Sequence, residues 1–366
     1  MITILAPYFS PAVKAGGPIK SLDGISKIFK KQGYPYTIIT RNKDIDGSSL
    51  EKNKFQKNVV YTDGISRKDL QIYFRKSELI WINSLYSIPF SIQPILALFF
   101  LEERTVLISP RGQLLAGSVN FKKKLYLLFV RSLLAICYHK VVIHYTNKEE
   151  QSNSLSTFKR FDSVVFNNPI SGVIKDRNTT LNTNASIVLG VFGRVSPIKN
   201  IDFIINFLPL LDSEISLEIH GSIEDANYKV RLDELINSLG VSNRVSFCGN
   251  YNMESFTEKA RKIDVVLIPS LSENFCHVFF EAIEMRKLVI GSSGLPWKDA
   301  NSLVKNTILP LETEVWVKRI AEIAEMRTEN YEDEQEKLVE FYKKIHASVQ
   351  LETAAIFKKL MQTNEA

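Results

Sequence analysis

The sequence predicts an α/β protein made of two doubly wound domains, in which helices cover both faces of a parallel sheet. Short apolar runs alternate with helical stretches along the chain, and most of the runs carry no charged residue. Apolar strands that are spaced by helices are typical of parallel sheets buried on both faces. The chain has 366 residues, about twice the length of a common domain, which predicts two such sheets.

The first domain is predicted over residues 1–172. It opens with a strand at 2–7, and a helix follows at 19–32, where apolar residues recur at helical spacing. The further strands predicted for this domain are 36–40, 79–82, 105–109 and 140–146.

The second domain is predicted over residues 187–345. The polar stretch 173–186 has the composition of a linker, and residues 346–366 are predicted to form a C-terminal helix that returns toward the first domain. The strands predicted for the second half are 186–192, 216–221, 244–249, 264–270 and 288–293.

Composition and charge narrow the class of protein. Hydrophobic residues make up 45% of the chain and charged residues 23%, which is typical of a globular protein and argues against a disordered one. Residues 1–170 hold 24 Lys and Arg against 12 Asp and Glu, so this half is basic while the rest is acidic. Such an excess indicates an anionic partner, which could be nucleic acid, a membrane or a substrate.

The three cysteines show no Cys-x-x-Cys spacing, which argues against a disulfide framework or a zinc site and favours a reducing cytosol. The chain begins without a basic, apolar leader, so no secretory signal is expected. Residues 79–101 carry no charge, but Pro89 and Pro94 interrupt them. A spanning helix needs about 20 predominantly apolar residues, so we expect a strand, a loop and a short apolar helix here.

A loop with paired glycines, Gly16 and Gly17, follows the first strand and opens the first helix. Glycine lets a backbone approach a ligand closely, and a helix N-terminus favours an anion. The spacing is not Gly-x-Gly-x-x-Gly, so an ordinary turn explains the pattern equally well.

Two cations, Arg194 and Lys199, follow the strand that ends at Phe192. Open α/β sheets bind ligands at the carboxyl ends of their strands, and an arginine with a lysine supplies the fixed charge and the donors that a diphosphate requires. Solvated surface charges are the alternative interpretation.

Two carboxylates, Glu273 and Glu281, lie eight residues apart in PSLSENFCHVFFEA (269–282), where a strand leads into a helix near Cys276. Carboxylates repel phosphate but accept hydrogen bonds from sugar hydroxyls. The helix N-terminus between them is then available to face phosphates. A helix cap and a surface glutamate would account for either residue alone.

Taken together, GRVSPIKN (193–200) and the Glu-x7-Glu segment resemble the retaining GT-B glycosyltransferases of family 4, of the bacterial surface-polysaccharide type. KAGGPIKSL (14–22), WINSLYS (81–87), SPRGQLL (109–115), HYTNKEE (144–150) and SSGLPW (292–297) extend the resemblance over nearly the whole chain in the right order. The resemblance implies a GT-B fold, two Rossmann-like domains that face each other across a cleft, with the acceptor in the first and the nucleotide sugar in the second.

The resemblance also implies roles for individual residues. Arg194 and Lys199 would hold the donor diphosphate and stabilise the leaving group, Glu281 would bind the ribose, and Glu273 would contact the donor sugar; Arg194, Lys199 and Glu273 are the predicted catalytic residues. The other predicted donor-binding residues are Gly16, Gly17, Asn274, Phe275, Cys276 and His277, and the predicted acceptor-side residues are Asn83 and Arg111.

Two positions depart from the family pattern. Cys276 stands where many relatives have glycine, so its Cβ would narrow the donor pocket unless the backbone there is ordinary. Arg111 stands where many relatives have histidine; it stays protonated and is expected to act through its charge rather than as a base. No Asp-x-Asp motif or metal-ligand spacing is present, and neither a metal nor another cofactor is expected.

The sequence thus predicts a hexosyltransferase that moves a sugar from a UDP- or GDP-sugar to a lipid-linked saccharide acceptor, in the synthesis of O-antigen, capsule or exopolysaccharide. It is expected in the cytoplasm, on the inner face of the membrane, which the basic amphipathic helix 121–140 would contact; a solvated face is the alternative for that helix. No nucleic-acid motif accompanies the basic charge. The alternatives are an inert GT-B scaffold that only binds partners and a nucleotide-binding oxidoreductase, although the latter normally carries Gly-x-Gly-x-x-Gly.

Overall fold

The computed structural model describes residues 1–115, 119–137, 139–170, 172–175, 187–251 and 253–362. The chain divides into two compact units, of which unit 1 comprises residues 1–171 with 346–366 and unit 2 comprises residues 172–345. Most of the predicted linker, 176–186, lies outside the described residues.

Unit 1 contains a parallel sheet of seven strands in the order β3-β2-β1-β4-β5-β6-β7. The strands are β1 (Ile2–Leu5), β2 (Tyr36–Arg41), β3 (Val59–Thr62), β4 (Leu79–Ile82), β5 (Thr105–Ile108), β6 (Lys140–Tyr145) and β7 (Asp162–Val165). The helices are α1 (Gly17–Gln32), α2 (Arg67–Arg75), α3 (Gln93–Leu98), α4 (Phe121–Ile136) and α5 (Lys148–Asn153).

Unit 2 contains a parallel sheet of six strands in the order β10-β9-β8-β11-β12-β13. The strands are β8 (Val188–Phe192), β9 (Ser216–His220), β10 (Val245–Phe247), β11 (Val265–Ile268), β12 (Leu288–Ser292) and β13 (Ile308–Leu309). The helices are α6 (Ile201–Phe207), α7 (Ala226–Ser238), α8 (Met253–Arg261), α9 (His277–Glu284), α10 (Thr313–Ala324) and α11 (Thr328–Gln362), whose last part belongs to unit 1.

Helices cover both faces of the sheet in unit 1. Alternate residues of one strand enter different cores, as Ile80 packs in the core with Phe74 of α2, and Trp81 packs in the core with Phe29 of α1 and Phe357 of α11. Alternation of this kind follows from the two-residue period of a strand. The predicted α/β class with two doubly wound parallel sheets is confirmed.

Some predicted bounds were wrong. The predicted helix 121–140 ends at Ile136, because Cys137 takes an extended backbone conformation and Lys140 already pairs in the sheet, donating its N–H to the Arg104 carbonyl at 3.1 Å. In residues 79–101 the strand β4 is followed by a π-helical turn at 88–92 and the short helix α3. Within the described residues, no helix combines the length and apolarity that crossing a bilayer requires.

Candidate active site

In unit 2, the loops that carry the sequence motifs follow β8 and β11, the two neighbouring strands at which the strand order reverses. The Leu271 N–H donates to the Ile198 carbonyl at 2.9 Å, and the Asn200 side chain donates to the Pro269 carbonyl at 3.2 Å. Open α/β sheets bind ligands in the crevice at such a switch point. The fold therefore brings the two motifs together at the place where a ligand is expected.

The backbones after β8 and β9 run unusually close together. The Gly193 N–H donates to the His220 carbonyl at 2.9 Å, and a Cβ on Gly221 would stand 1.7 Å from the Gly193 carbonyl oxygen. Only glycine fits at Gly221, which the sequence prediction missed. The signal is the glycine that ends the predicted strand 216–221.

Lys199 and Glu273, 74 residues apart in the chain, form an ion pair, and both side chains are largely buried. The Ser270 hydroxyl donates to Glu273 Oε1 at 2.8 Å, and the Glu273 N–H donates to the Gly294 carbonyl at 3.0 Å. The Glu273 carboxylate is thus fixed in orientation by the side chains of Lys199 and Ser270. Ser270 and Gly294 are site residues that the sequence prediction did not single out.

Arg194 has a different partner. Its guanidinium pairs with Glu224, which follows β9, and both side chains are exposed. The two predicted cations therefore lie at the same edge of the sheet but bind separate carboxylates. Glu224 was missed because it belongs to a third loop, 30 residues further along the chain.

Cys276 occupies the position before α9 in a left-handed conformation, with φ at 63° and ψ at 73°. The backbone is therefore not the ordinary one in which a Cβ would be harmless. The side chain is only 8% exposed, and burial with the nearby Glu273 carboxylate raises the pKa of its thiol far above the usual range. These surroundings suit a packed side chain and oppose a reactive thiolate.

Glu281 and Tyr251 lie close to this loop. Burial raises the pKa of Tyr251 well above its usual range, and the charges of Glu281 and Glu273 add to the shift. The Tyr251 ring meets Phe192 edge-on, with 5.4 Å between centroids. Tyr251 is thereby fixed as a neutral hydroxyl among the two predicted carboxylates, a neighbour that its sequence position did not reveal.

Two aromatic residues brace the segment from 274 to 277. Phe275 is buried edge-on against Trp297, whose indole N–H donates to the Phe275 carbonyl. The ring of His277 lies 4.7 Å from that of Phe275. The packing holds Asn274 and His277 at the start of α9.

Four predicted site residues belong to unit 1. Gly16 has a left-handed φ of 68°, and a Cβ there would meet nothing within 4 Å, so the conformation rather than space requires glycine. Gly17 is the first residue of α1. Asn83 follows β4 and Arg111 follows β5, and the two side chains are hydrogen-bonded, with Arg111 Nε 2.8 Å from Asn83 Oδ1.

One further cluster lies at the edge of the unit 2 sheet. Because Phe247 of β10 pairs with Ile219 of β9, Cys248 comes beside His220, and the ligating atoms of Glu218, His220 and Cys248 lie within 4.8 Å of one another. His220 is the buried last residue of β9. The ammonium of Lys259 donates to the Cys248 carbonyl at 2.9 Å, which places a positive charge beside this cluster.

The fold places the protein among GT-B-type structures. The Anabaena protein HepE, in a crystal structure with UDP and glucose, superimposes with a TM-score of 0.73 at 16% identity, covering 98% of this chain and 99% of HepE. Sucrose-phosphate synthase from Thermosynechococcus elongatus superimposes with a TM-score of 0.72 at 14% identity, covering 99% of both chains. At these identities the likeness shows the fold, two Rossmann-like units of the α/β class.

A family model matches the second half of the chain. Residues 174–347 match the family model described as Glycosyl transferases group 1, the class of enzyme that the sequence predicts. D-inositol 3-phosphate glycosyltransferase from Mycobacteroides abscessus is 28% identical over 139 residues, which are 37% of this chain. The aligned part spans 31% of the length of that relative.

Proposed function

We propose that the protein is a retaining glycosyltransferase that moves a hexose from a UDP- or GDP-sugar to a lipid-linked saccharide in bacterial surface polysaccharide synthesis. The observation that carries the proposal is the switch-point site of unit 2, where Lys199 and Glu273 form a buried ion pair inside the segment that matches the glycosyl transferases. The structure of HepE with UDP and glucose supports a nucleotide-sugar donor.

In this proposal each charged side chain of the site binds a different part of the donor. Arg194 is exposed and exchanges Glu224 for the donor diphosphate, because a phosphate forms strong bidentate hydrogen bonds with a guanidinium. Lys199 remains paired to Glu273 and stabilises the charge that develops on the leaving diphosphate. Glu273 accepts hydrogen bonds from the sugar, and Glu281 accepts them from the ribose.

The reaction proposed needs no protein nucleophile. The acceptor hydroxyl attacks the anomeric carbon on the face that the diphosphate leaves; the C–O bond to the phosphate breaks, and the hydroxyl proton passes to a phosphate oxygen. Configuration is thereby retained. The protein contributes positioning and electrostatic stabilisation, and we expect EDTA to leave turnover unchanged.

Donor binding and turnover test the site. A thermal-shift screen of UDP-, GDP- and ADP-glucose should reveal one nucleotide that stabilises the protein. Arg194→Ala and Lys199→Ala should each lower kcat by about 100-fold or more, while Lys318→Ala, which removes an exposed lysine from α10, should not. Glu281→Gln should weaken nucleotide binding. Near-normal turnover in the two cation variants would reject the proposed diphosphate site.

The same measurements separate the enzyme from an inert GT-B scaffold. A scaffold would bind the nucleotide yet release no UDP or GDP from the sugar nucleotide, with or without an acceptor. Donor hydrolysis that depends on Lys199 favours the enzyme.

A membrane surface is proposed as the second partner, through α4. The helix buries Leu127, Val130 and Leu134, but its opposite side exposes an apolar stripe that we call the α4 stripe, made of Phe121, Leu125, Leu128, Phe129 and Ile136. At 100° per residue Lys122 and Lys124 border the α4 stripe on its two sides. Apolar residues bordered by lysines match a bilayer with anionic headgroups, which fits a protein at the inner face of the cytoplasmic membrane.

Vesicle sedimentation tests the membrane proposal. Leu125→Ser with Phe129→Ser should release the protein from phosphatidylcholine vesicles that contain anionic phosphatidylglycerol. Leu351→Ser is the control, because Leu351 of α11 is even more exposed than Leu125 and Phe129. Equal sedimentation of all three proteins would exclude the α4 stripe as the membrane contact.

A further inference from the structure

Asn83 and Arg111 stand beside the switch point of the sheet in unit 1. β4 lies next to β1, where the strand order reverses, and β5 lies next to β4. The Asn83 N–H donates to the Leu5 carbonyl at 2.8 Å, which extends the sheet to this residue. Since the crevice at the carboxyl ends of such strands is where open sheets bind ligands, the pair occupies a ligand position of its own unit.

The hydrogen bonds of this pair are incomplete. Arg111 donates from Nε to Asn83 Oδ1 at 2.8 Å and from one terminal nitrogen to Asn168 Oδ1. Within the described residues, the other terminal nitrogen of Arg111 and Nδ2 of Asn83 are buried without a hydrogen-bond partner, and Asn83 is only 5% exposed. Buried donors nearly always have partners, so these two donors, on side chains that are hydrogen-bonded to each other, are left for an acceptor atom from outside.

The positive charge of Arg111 also has no counter-ion in direct contact among the described residues. Glu150 is the acidic residue whose charge acts on the guanidinium. Its carboxylate, however, accepts from the Gly112 N–H at 2.6 Å and from the N–H and hydroxyl of Thr146 at 2.7 and 2.6 Å. Burial lowers the pKa of Arg111 to about 10, so the guanidinium remains charged near neutral pH.

The surroundings hold Arg111 in place. Its backbone is left-handed, with φ at 54°, which costs free energy in a residue with a Cβ. The next residue, Gly112, is fixed by Glu150. Burial and the charge of Arg111 lower the pKa of His144 to about 3, so this neighbour is neutral and does not compete as a cation.

We propose that Asn83 and Arg111 form a binding site for an oxyanion, a carboxylate or phosphate group carried by the acceptor. An oxyanion accepts from both donors and neutralises the guanidinium, whereas a sugar hydroxyl would satisfy the hydrogen bonds and leave the charge uncompensated. The inference rests on the proposed function only in assigning the oxyanion to the acceptor; the binding site itself depends on unit 1 alone.

Asn83→Asp provides the decisive variant. It keeps the oxygen that accepts from Arg111 Nε and replaces the unpaired donor by a carboxylate, an internal counter-ion that occupies the site. Asn153→Asp adds the same charge at an exposed position of α5 in the same unit and serves as the matched control. Both should fold, which circular dichroism and the thermal midpoint verify.

The probes are inorganic phosphate, glucuronate and glucose, measured by isothermal titration calorimetry. The background is the Arg194→Ala/Lys199→Ala double variant, so that phosphate does not bind at the proposed donor site. We expect saturable binding of phosphate, of glucuronate or of both, but not of glucose, with at least tenfold weaker binding after Asn83→Asp and no change after Asn153→Asp. Binding of phosphate but not of glucuronate would identify a phosphate group on the acceptor. Binding of glucuronate but not of phosphate would identify the carboxylate of a sugar acid.

Two results would overturn the inference: equal anion binding before and after Asn83→Asp, or no binding of either anion. UDP binding to the unsubstituted protein is measured separately. If UDP fails to bind, the proposed donor site fails while the anion result still decides the unit 1 site; if UDP binds and the anions do not, only the oxyanion site is lost.

Discussion

The stabilities of Cys276→Gly and Cys276→Ala test the left-handed backbone at residue 276. Both changes remove the buried sulfur, so its loss cancels when the two variants are compared. They differ by one Cβ at a residue with φ of 63°. We therefore expect Cys276→Gly to be more stable than Cys276→Ala, although glycine usually destabilises a folded chain.

The size of the difference follows from that conformation. A left-handed backbone costs a residue with a Cβ about 1–2 kcal/mol. Glycine avoids this cost, but it also makes the unfolded chain more flexible, which lowers the free energy of unfolding by about 0.4–1 kcal/mol. The net difference is about 1 kcal/mol, which corresponds to roughly 2–4 °C in the thermal midpoint of a domain with the size of unit 2.

Urea and thermal unfolding of the two variants measure this difference. Cys248 supplies the control, because its φ is not positive and it follows a strand. There alanine should be the more stable replacement, by about 0.5–1 kcal/mol. If Cys276→Ala equals or exceeds Cys276→Gly, the left-handed conformation does not exist in solution and the argument from it fails.

Three further predictions concern packing and charge. Gly221→Ala should destabilise the protein by about 2 kcal/mol or more and weaken donor binding, since its Cβ would stand 1.7 Å from the Gly193 carbonyl oxygen; urea unfolding and calorimetry measure both. Phe357→Ala should cost about 3–5 kcal/mol, because this fully buried ring contacts those of Phe29, Trp81 and Phe166. His144→Gln should destabilise the protein less as the pH falls. The folded pKa is about 3 against an ordinary 6.5, so the unfolded state binds the proton first and the wild type loses about 1.4 kcal/mol per pH unit between about pH 6 and pH 4.

Each of these three predictions has its own control or contradicting result. Gly240→Ala also places a Cβ at a positive φ, 67° against 155° at Gly221, but with open space around it, so a loss equal to that of Gly221→Ala would contradict the steric argument. Leu351→Ala removes an exposed residue from the helix of Phe357 and should change stability by less than about 0.5 kcal/mol. A constant stability gap between wild type and His144→Gln from pH 7 to pH 4 would show that His144 titrates normally.

The sheets could be predicted because each strand has a recognisable local sequence pattern. Val265–Ile268 is a short apolar run with a polar loop after it, and the loop motif at 193–200 has the same relation to β8. Since carboxyl ends of parallel strands share one edge, the closeness of Lys199 to Glu273 could be expected from strand ends alone. Their direct ion pair could not.

What the sequence did not reveal depends on contacts between distant segments. Glu224 pairs with Arg194 from a third loop, and Tyr251 reaches the carboxylates after a fourth strand. The left-handed backbone of Cys276 contradicts local preference, so surrounding packing, including Trp297 on the Phe275 carbonyl, must impose it. Such features depend on tertiary structure and produce no periodic pattern in the amino-acid sequence.

The last helix has a consequence for biosynthesis. Phe357 is part of a core that also contains Ile2 and Ile4, so the packing around β1 stays incomplete until α11 has been synthesised. Unit 2 lies wholly between these two segments and can fold while the core of unit 1 is still incomplete. Domain exchange between such enzymes must therefore transfer residues 346–362 together with the N-terminal half.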